Sequence, residues 1–298
     1  MTPFSAILAA VTIAFPREGA EVPPVARCYM IGAADGGETN LVVQGRNVPV
    51  FRTGAWGTLV DVVPGTNVIE VADVRRTFVV ATPPPPSSTN VPERVYVKLP
   101  YSGDTPRPHP HGKKPSEVTI VVDPGHGGEN LGAISPHGRF EKDVNLRLGK
   151  ALERALVNRG FRVVMTRTDD AFPALYDRPK VGHRENADAF ISLHYNAPAY
   201  DKDPMTLRYQ AVYAWNPIGD RLARAINLRL VAARADLENK GVLHANFAVT
   251  RNPEIPSCLV ETDFLTSPEG EEAADDPVCI TATAAAIADG VTDWMSVP

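Results

Sequence analysis

Val118-Thr119-Ile120-Val121-Val122-Asp123-Pro124-Gly125-His126-Gly127-Gly128 is the stretch from which the rest of the chain can be read. Val118 to Val122 is an unbroken apolar run rich in β-branched residues, the pattern of a strand buried on both faces. Asp123-Pro124-Gly125 ends it, and the glycines after it let the backbone turn tightly and let a second molecule approach. His126 therefore falls just past the carboxyl end of a buried strand.

Outward from this strand, the pattern alternates between strand and helix. Asp143 to Asn158 is predicted as a helix, because Val144, Leu148, Leu152, Ala155 and Leu156 recur at helical spacing and Gly160 lies just beyond. Phe161 to Thr166, Ala189 to Leu193 and Ser257 to Glu261 read as strands. Ile218 to Ala233 and Cys279 to Trp294 read as helices. Such alternation implies an α/β fold, a mostly parallel sheet flanked by helices. In such a sheet, ligands bind at the carboxyl ends of the strands. His194 ends one predicted strand, Glu261 ends another and Glu141 opens a helix, so these three converge with His126 on one edge.

Two neutral imidazoles and a carboxylate form a suitable set for one zinc ion, with a fourth position left for water. Glu261 is then placed to take a proton from that water. His137, His183 and His244 carry no such context and are read as packed or surface residues. Cys258 is three residues from Glu261, which on a strand puts it on the opposite face, in the core.

The remaining chain divides by composition. Residues 11–82 hold short apolar runs such as Asn40 to Val43, Leu59 to Val63, Asn67 to Val71 and Arg76 to Val80, separated by Gly, Pro and Asn. They predict a small β-sandwich-like accessory domain. Residues 83–116 form a Pro-rich linker, Val95 to Leu99 being its one strand candidate, with His109 and His111 read as surface residues. The catalytic domain is placed at 117–298. Residues 1–10 begin the apolar segment Phe4 to Phe15, which is too short for a bilayer span of roughly 20 residues. Two readings stand for it, the core of an export signal or a first strand from Val11 to Phe15. The acidic run Glu269 to Asp276 is expected to be a solvated loop rather than a calcium site.

The 298 residues are 44% hydrophobic and 22% charged, with a net charge of −5, which suits a globular protein and excludes a basic nucleic-acid footprint. Three widely spaced cysteines, Cys28, Cys258 and Cys279, show no disulfide framework. Buried thiols are expected, with a Cys258–Cys279 bridge as the alternative.

Four segments taken in order carry a resemblance. Asp123-Pro124-Gly125-His126-Gly127-Gly128, Glu141-Lys142-Asp143-Val144-Asn145-Leu146, Ser192-Leu193-His194-Tyr195-Asn196-Ala197 and Val260-Glu261-Thr262-Asp263-Phe264-Leu265 resemble the zinc-dependent N-acetylmuramoyl-L-alanine amidase family. Thr166-Arg167, Leu175, Arg178 and Asn186 follow the same order. The resemblance covers about Val118 to Trp294. It implies a twisted sheet, one zinc ion on His126, Glu141 and His194, and Glu261 as the catalytic carboxylate. It also implies cleavage of the amide between N-acetylmuramic acid and L-alanine in peptidoglycan, and a place in the cell envelope, periplasmic or secreted. A zinc peptidase of the stem peptide and a non-catalytic wall-binding protein are the rival readings.

Asn196, Arg178 and Arg167 are assigned to substrate binding, with bracing of the sheet as the alternative for the arginines. The N-terminal domain is a candidate wall or protein contact. Two residues depart from the family pattern. Tyr195 stands where a small residue is common, which would make the groove floor bulkier. Asp263 stands where Gly is usual, and if the strand continues it shares a face with Glu261 and raises its pKa. Some relatives carry a long insertion after the second histidine that plugs the cleft. Asn196 to Leu207 is too short for one, so activity without release of an internal blocker is expected.

Overall fold

The computed structural model describes residues 11–83 and 109–296, which fall into two compact units. The candidate export segment 1–10 and most of the linker, including its strand candidate Val95 to Leu99, lie outside the described residues.

The first unit is all β. Its strands are β1 (Val11–Phe15), β2 (Glu21–Val22), β3 (Arg27–Ala34), β4 (Asn40–Val43), β5 (Arg46–Pro49), β6 (Ala55–Asp61), β7 (Gly65–Val71) and β8 (Val74–Val80). They form a three-stranded sheet, β1-β3-β6, and a five-stranded sheet, β2-β8-β7-β4-β5. All pairings are antiparallel except β2 with β8. Side chains alternate between faces along β4 and β7, and the inward set, with Met30, Trp56 and Phe78, builds one core from both sheets. Pro198–Met205 belongs to this unit as well. Tyr200 packs near Tyr29 and Phe15, and its carbonyl accepts from the Tyr29 N–H at 2.7 Å.

The second unit is α/β. It consists of β9 (Thr119–Pro124), α1 (Glu141–Asn158), β10 (Arg162–Met165), α2 (Arg178–Arg184), β11 (Ala189–Asn196), β12 (Gln210–Ala214), α3 (Pro217–Ala233), β13 (Asn239–His244), β14 (Ser257–Phe264), α4 (Pro268–Asp275) and α5 (Pro277–Ser296). The six-stranded sheet runs β10-β9-β11-β14-β12-β13, and only the β12–β14 pair is antiparallel. One face of the sheet packs on α1, α3 and α5: Ile120 and Val122, Ile191 and Leu193, and Cys258 and Val260 meet Leu148, Leu152, Ile226, Ile287 and Val291 there. A smaller apolar cluster with Val121, Phe190, Ile255 and Leu259 covers the other face.

This two-residue alternation sets the site. Ile191, Leu193 and Tyr195 point to the helical layer, so Ser192 and His194 point away from it. Cys258 and Val260 do the same on β14, leaving Leu259 and Glu261 on the side of His194.

Several expectations are corrected here. Glu261 does not end its strand, since β14 continues to Phe264. Glu269 to Asp276 is not a loop but largely α4, started by Ser267, whose hydroxyl accepts from Gly270 N. Its acids are also engaged, Glu271 with Ser135 and Asp275 with Arg139 and Arg147. Tyr195 is buried in the helix-side core and not on a groove floor. The three cysteines are free thiols as expected, Cys28 and Cys258 buried, and the alternative Cys258–Cys279 bridge is absent. Among the described residues, no helix is long and apolar enough to cross a membrane.

Candidate metal centre and cleft

The loop that carries His126 is fixed from several sides. His126 has a left-handed backbone (φ 62°), which costs a non-glycine residue free energy unless its surroundings hold it there. Arg178 supplies part of that hold: it donates to the His126 carbonyl at 2.7 Å, to the Pro124 carbonyl at 3.0 Å and to Asp123 Oδ1 at 2.8 Å. Arg167 donates to the carbonyls of Pro124, Gly125 and Lys142. Lys142 Nζ reaches the Gly128 carbonyl at 2.9 Å and Asp170 at 2.6 Å. Asp123, fully buried, also accepts from Thr166 and Ser192. Both arginines therefore brace this loop, the alternative given for them, and Arg178 also lines the cleft. Asn196 likewise turns its side-chain oxygen to its own chain, accepting from Ala197 N at 2.8 Å.

Held in this way, three side chains meet. The candidate ligand atoms of His126, Glu141 and His194 all lie within 4.8 Å of one another. Glu141 Oε2 is 3.0 Å from His126 Nε2, and Glu141 Oε1 is 2.9 Å from His194 Nδ1. Glu141 is the first residue of α1 and is almost fully buried. Its oxygens also accept from the backbone N–H groups of Ala133 and Tyr195 and from Asn145 Nδ2. Burial works to raise its pKa, but the hydrogen bonds and charges of the two imidazoles outweigh burial and hold it well below the carboxylate range. For His126, burial lowers the pKa, yet Glu141 and the Asn130 oxygen at 2.7 Å from Nδ1 outweigh it and raise the pKa.

Glu261 is the fourth member. It sits beside His194 in the parallel register of β11 and β14. Its Oε2 is buried without a hydrogen-bond partner, and its pKa is pushed well above the carboxylate range by burial and then by the charge of Glu141. Asp263 plays no part in this. It is fully buried between Arg208 and Arg234, at 2.6 Å and 3.0 Å, so the expectation that it tunes Glu261 is overturned. A shift in the β11–β14 register, between His194–Glu261 and Asn196–Phe264, breaks the simple alternation.

The donor set fits a divalent ion. Two imidazoles and an ionised carboxylate match a catalytic zinc site, and an unpartnered buried carboxylate oxygen lies in the same cleft. That cleft, of ≈ 350 Å³, includes His126, His194 and Glu261 with Asn130, Phe172 and Phe247. His183 and His244 sit elsewhere, paired with Glu254 and Asp220, and His137 belongs to the β unit. Sequence reading missed Asn130, Asn145, Phe172 and Phe247. Asn145 could have been found, since it is one helical turn after Glu141 and shares its face. The others lie on loops, where no periodicity marks them.

Gly132 (φ 69°) shows how closely the candidate ligands are packed. A Cβ there would stand 2.4 Å from Glu141 Oε2 and 2.7 Å from His126 Cδ2. Gly132→Ala is expected to push two ligands apart and weaken metal binding by about 10- to 100-fold, with circular dichroism unchanged. Chelator competition measures it, and wild-type affinity would refute it.

Comparison with known proteins agrees with this geometry. A family model described as N-acetylmuramoyl-L-alanine amidase matches residues 120–293, more than half the chain. The "probable cell wall amidase LytH" of Staphylococcus epidermidis is 34% identical over 180 residues, 60% of this chain and 58% of that relative. The N-acetylmuramoyl-L-alanine amidase AmiC of Neisseria meningitidis is 32% identical over 237 residues, 64% of this chain and 56% of its own length. The chain thus spans little more than half the length of these relatives. The solved structure of the amidase AmiC2 of Nostoc punctiforme superposes with a TM-score of 0.56 at 34% identity, over 60% of this chain and 97% of that one.

Proposed function

The chain belongs to the N-acetylmuramoyl-L-alanine amidase family, and from that premise we propose that it hydrolyses the amide joining N-acetylmuramic acid to L-alanine in peptidoglycan. The observation that carries the reading is the convergence of His126, Glu141 and His194 within 4.8 Å, beside a carboxylate whose buried Oε2 has no hydrogen-bond partner. We take the ion to be zinc, because two imidazoles and one carboxylate are its usual catalytic donors. When bound, it supplies a positive charge that polarises the scissile carbonyl and acidifies water.

The protein's own groups do the rest. Glu141, ionised and fixed by two backbone N–H donors, holds both imidazoles in place. Asn130 orients the His126 ring through Nδ1. Glu261 takes a proton from the attacking water and delivers it to the departing alanine nitrogen. Burial raises the Glu261 pKa in the empty cleft, and a bound cation would counter that shift and favour the anion that receives the proton.

The substrate lies in the cell wall, so the proposed location is the envelope, periplasmic or secreted, and the β unit is proposed to contact wall or partner. The segment 197–209, between β11 and β12, contains no helix, which supports activity without release of an internal plug.

Mass spectrometry of purified muropeptides digested without any activator tests this. The expected products are a free L-alanine amino terminus and a glycan that keeps its lactyl group. Cleavage inside the stem peptide would replace this reading with a peptidase, and zinc binding without turnover would leave a wall-binding protein.

A further inference from the structure

The cleft has walls of two kinds. One is polar: His126, His194 and Glu261. The other is apolar, made by Phe172 and Leu175 from the loop between β10 and α2, and by Phe247 to Val249 from the loop between β13 and β14. Phe172 and Phe247 stay 49% and 41% exposed, although large apolar side chains gain free energy by leaving water. Each ring has a neighbour against it. The Arg178 guanidinium stands 6.0 Å from the centroid of Phe172, and Tyr213 packs edge-on against Phe247 at 5.3 Å. Two exposed aromatic faces are thus braced at the mouth of the candidate metal centre.

The charge of the cleft decides what these faces can receive. Among its lining residues, Arg178 is the one cation of fixed charge, and Asp123 and two main-chain carbonyls already engage it. Among the residues that line the cleft, a carboxylate on the ligand would find no cation not already engaged, and it would lie near Glu261. Resting on the amidase reading, the scissile amide has unlike halves. One side is an uncharged acetylated sugar ring, whose C–H face and methyl groups are apolar. The other is a peptide bearing carboxylates. Only the sugar matches an apolar, aromatic and uncharged wall.

We propose that Phe172 and Phe247 form the subsite for the N-acetylmuramoyl ring and are specificity-determining residues for the glycan half of the substrate. The peptide half then extends away from this wall.

The test compares kcat/KM on two substrates with the same stem peptide. One carries the full disaccharide and the other only the N-lactyl group. Wild type is expected to favour the disaccharide substrate. In Phe172→Ala and in Phe247→Ala that ratio should shrink by about tenfold, the equivalent of withdrawing roughly half a phenyl ring's apolar surface from contact. Phe172→Leu and Phe247→Leu keep apolar bulk without the flat face and should shrink it too, which guards against an alanine variant that fails to fold. Phe247→Trp should restore the preference. A ratio unchanged in all four aromatic-deletion variants would overturn the subsite, as would a ratio that responds to amidation of the peptide carboxylates instead. Failure of wild type to cut either substrate would overturn the amidase reading itself, a distinct result.

Discussion

Glu261→Gln is expected to lower turnover by about 10³-fold or more while making the metal-free protein more stable at neutral pH. The first effect follows from the role of the carboxylate, because an amide neither accepts the water's proton nor passes it on. The second follows from linkage. In the fold, burial and then the Glu141 charge push the Glu261 pKa well above its unfolded value, which is about 4.3. A group shifted in this direction makes its full contribution to stability below the unfolded pKa and loses it as pH rises through the folded pKa. At pH 7 to 8 the wild-type apoprotein therefore carries a cost that grows as pH rises above the unfolded pKa, which glutamine does not. Thermal melts after chelation should show the variant a few degrees above wild type at pH 8, and the two converging toward pH 4. Bound metal offsets the wild-type penalty, since a nearby cation favours the ionised carboxylate. A variant apoprotein that melts at or below wild type at pH 8 would refute the account, whatever its activity.

The site was legible in the sequence to the extent that strand ends fixed it. A parallel sheet brings the carboxyl ends of β9 and β11 together, so His126 and His194 could be paired across 67 intervening positions in the chain. Glu141 was legible as a helix start, and Cys258 as a core residue by its parity with Glu261. Tyr195 should have been placed by the same rule. It follows His194 directly, and its side chain must point to the opposite face. Asp263 was not accessible in that way, because a break in register after Glu261 alters the alternation and the guanidiniums that neutralise it, on Arg208 and Arg234, are distant in sequence. Short elements such as α2, β13 and α4 were missed because each is too brief for a periodic pattern, and β3 because nearly every residue in it is buried. The loops bearing Phe172 and Phe247 are set by tertiary packing against Arg178 and Tyr213, which no local pattern encodes.

Glu141→Gln should behave oppositely to Glu261→Gln in the apoprotein, though both lose activity. The Glu141 carboxylate receives five donors: two imidazoles, two backbone N–H groups and the Asn145 amide. The amide that replaces one oxygen brings N–H groups of its own to a place that already supplies only donors. Buried donors lose their acceptor, at a cost of about 3 kcal/mol. Because the folded pKa of Glu141 lies below its unfolded value, its stabilising contribution is present above the unfolded pKa and lost as pH falls through the folded one. The deficit of the variant should therefore be largest at pH 7 and narrow in acid, while metal affinity falls by about 10³-fold. Two carboxylates in one site thus have opposite expected signatures: removing the charge of the proposed base relaxes the empty protein, and removing the charge of the proposed ligand destabilises it. Melts of both chelated variants at pH 5 and pH 8 distinguish these roles without reference to turnover. If the two shifts share a sign at pH 8, the division of labour between Glu141 and Glu261 is wrong.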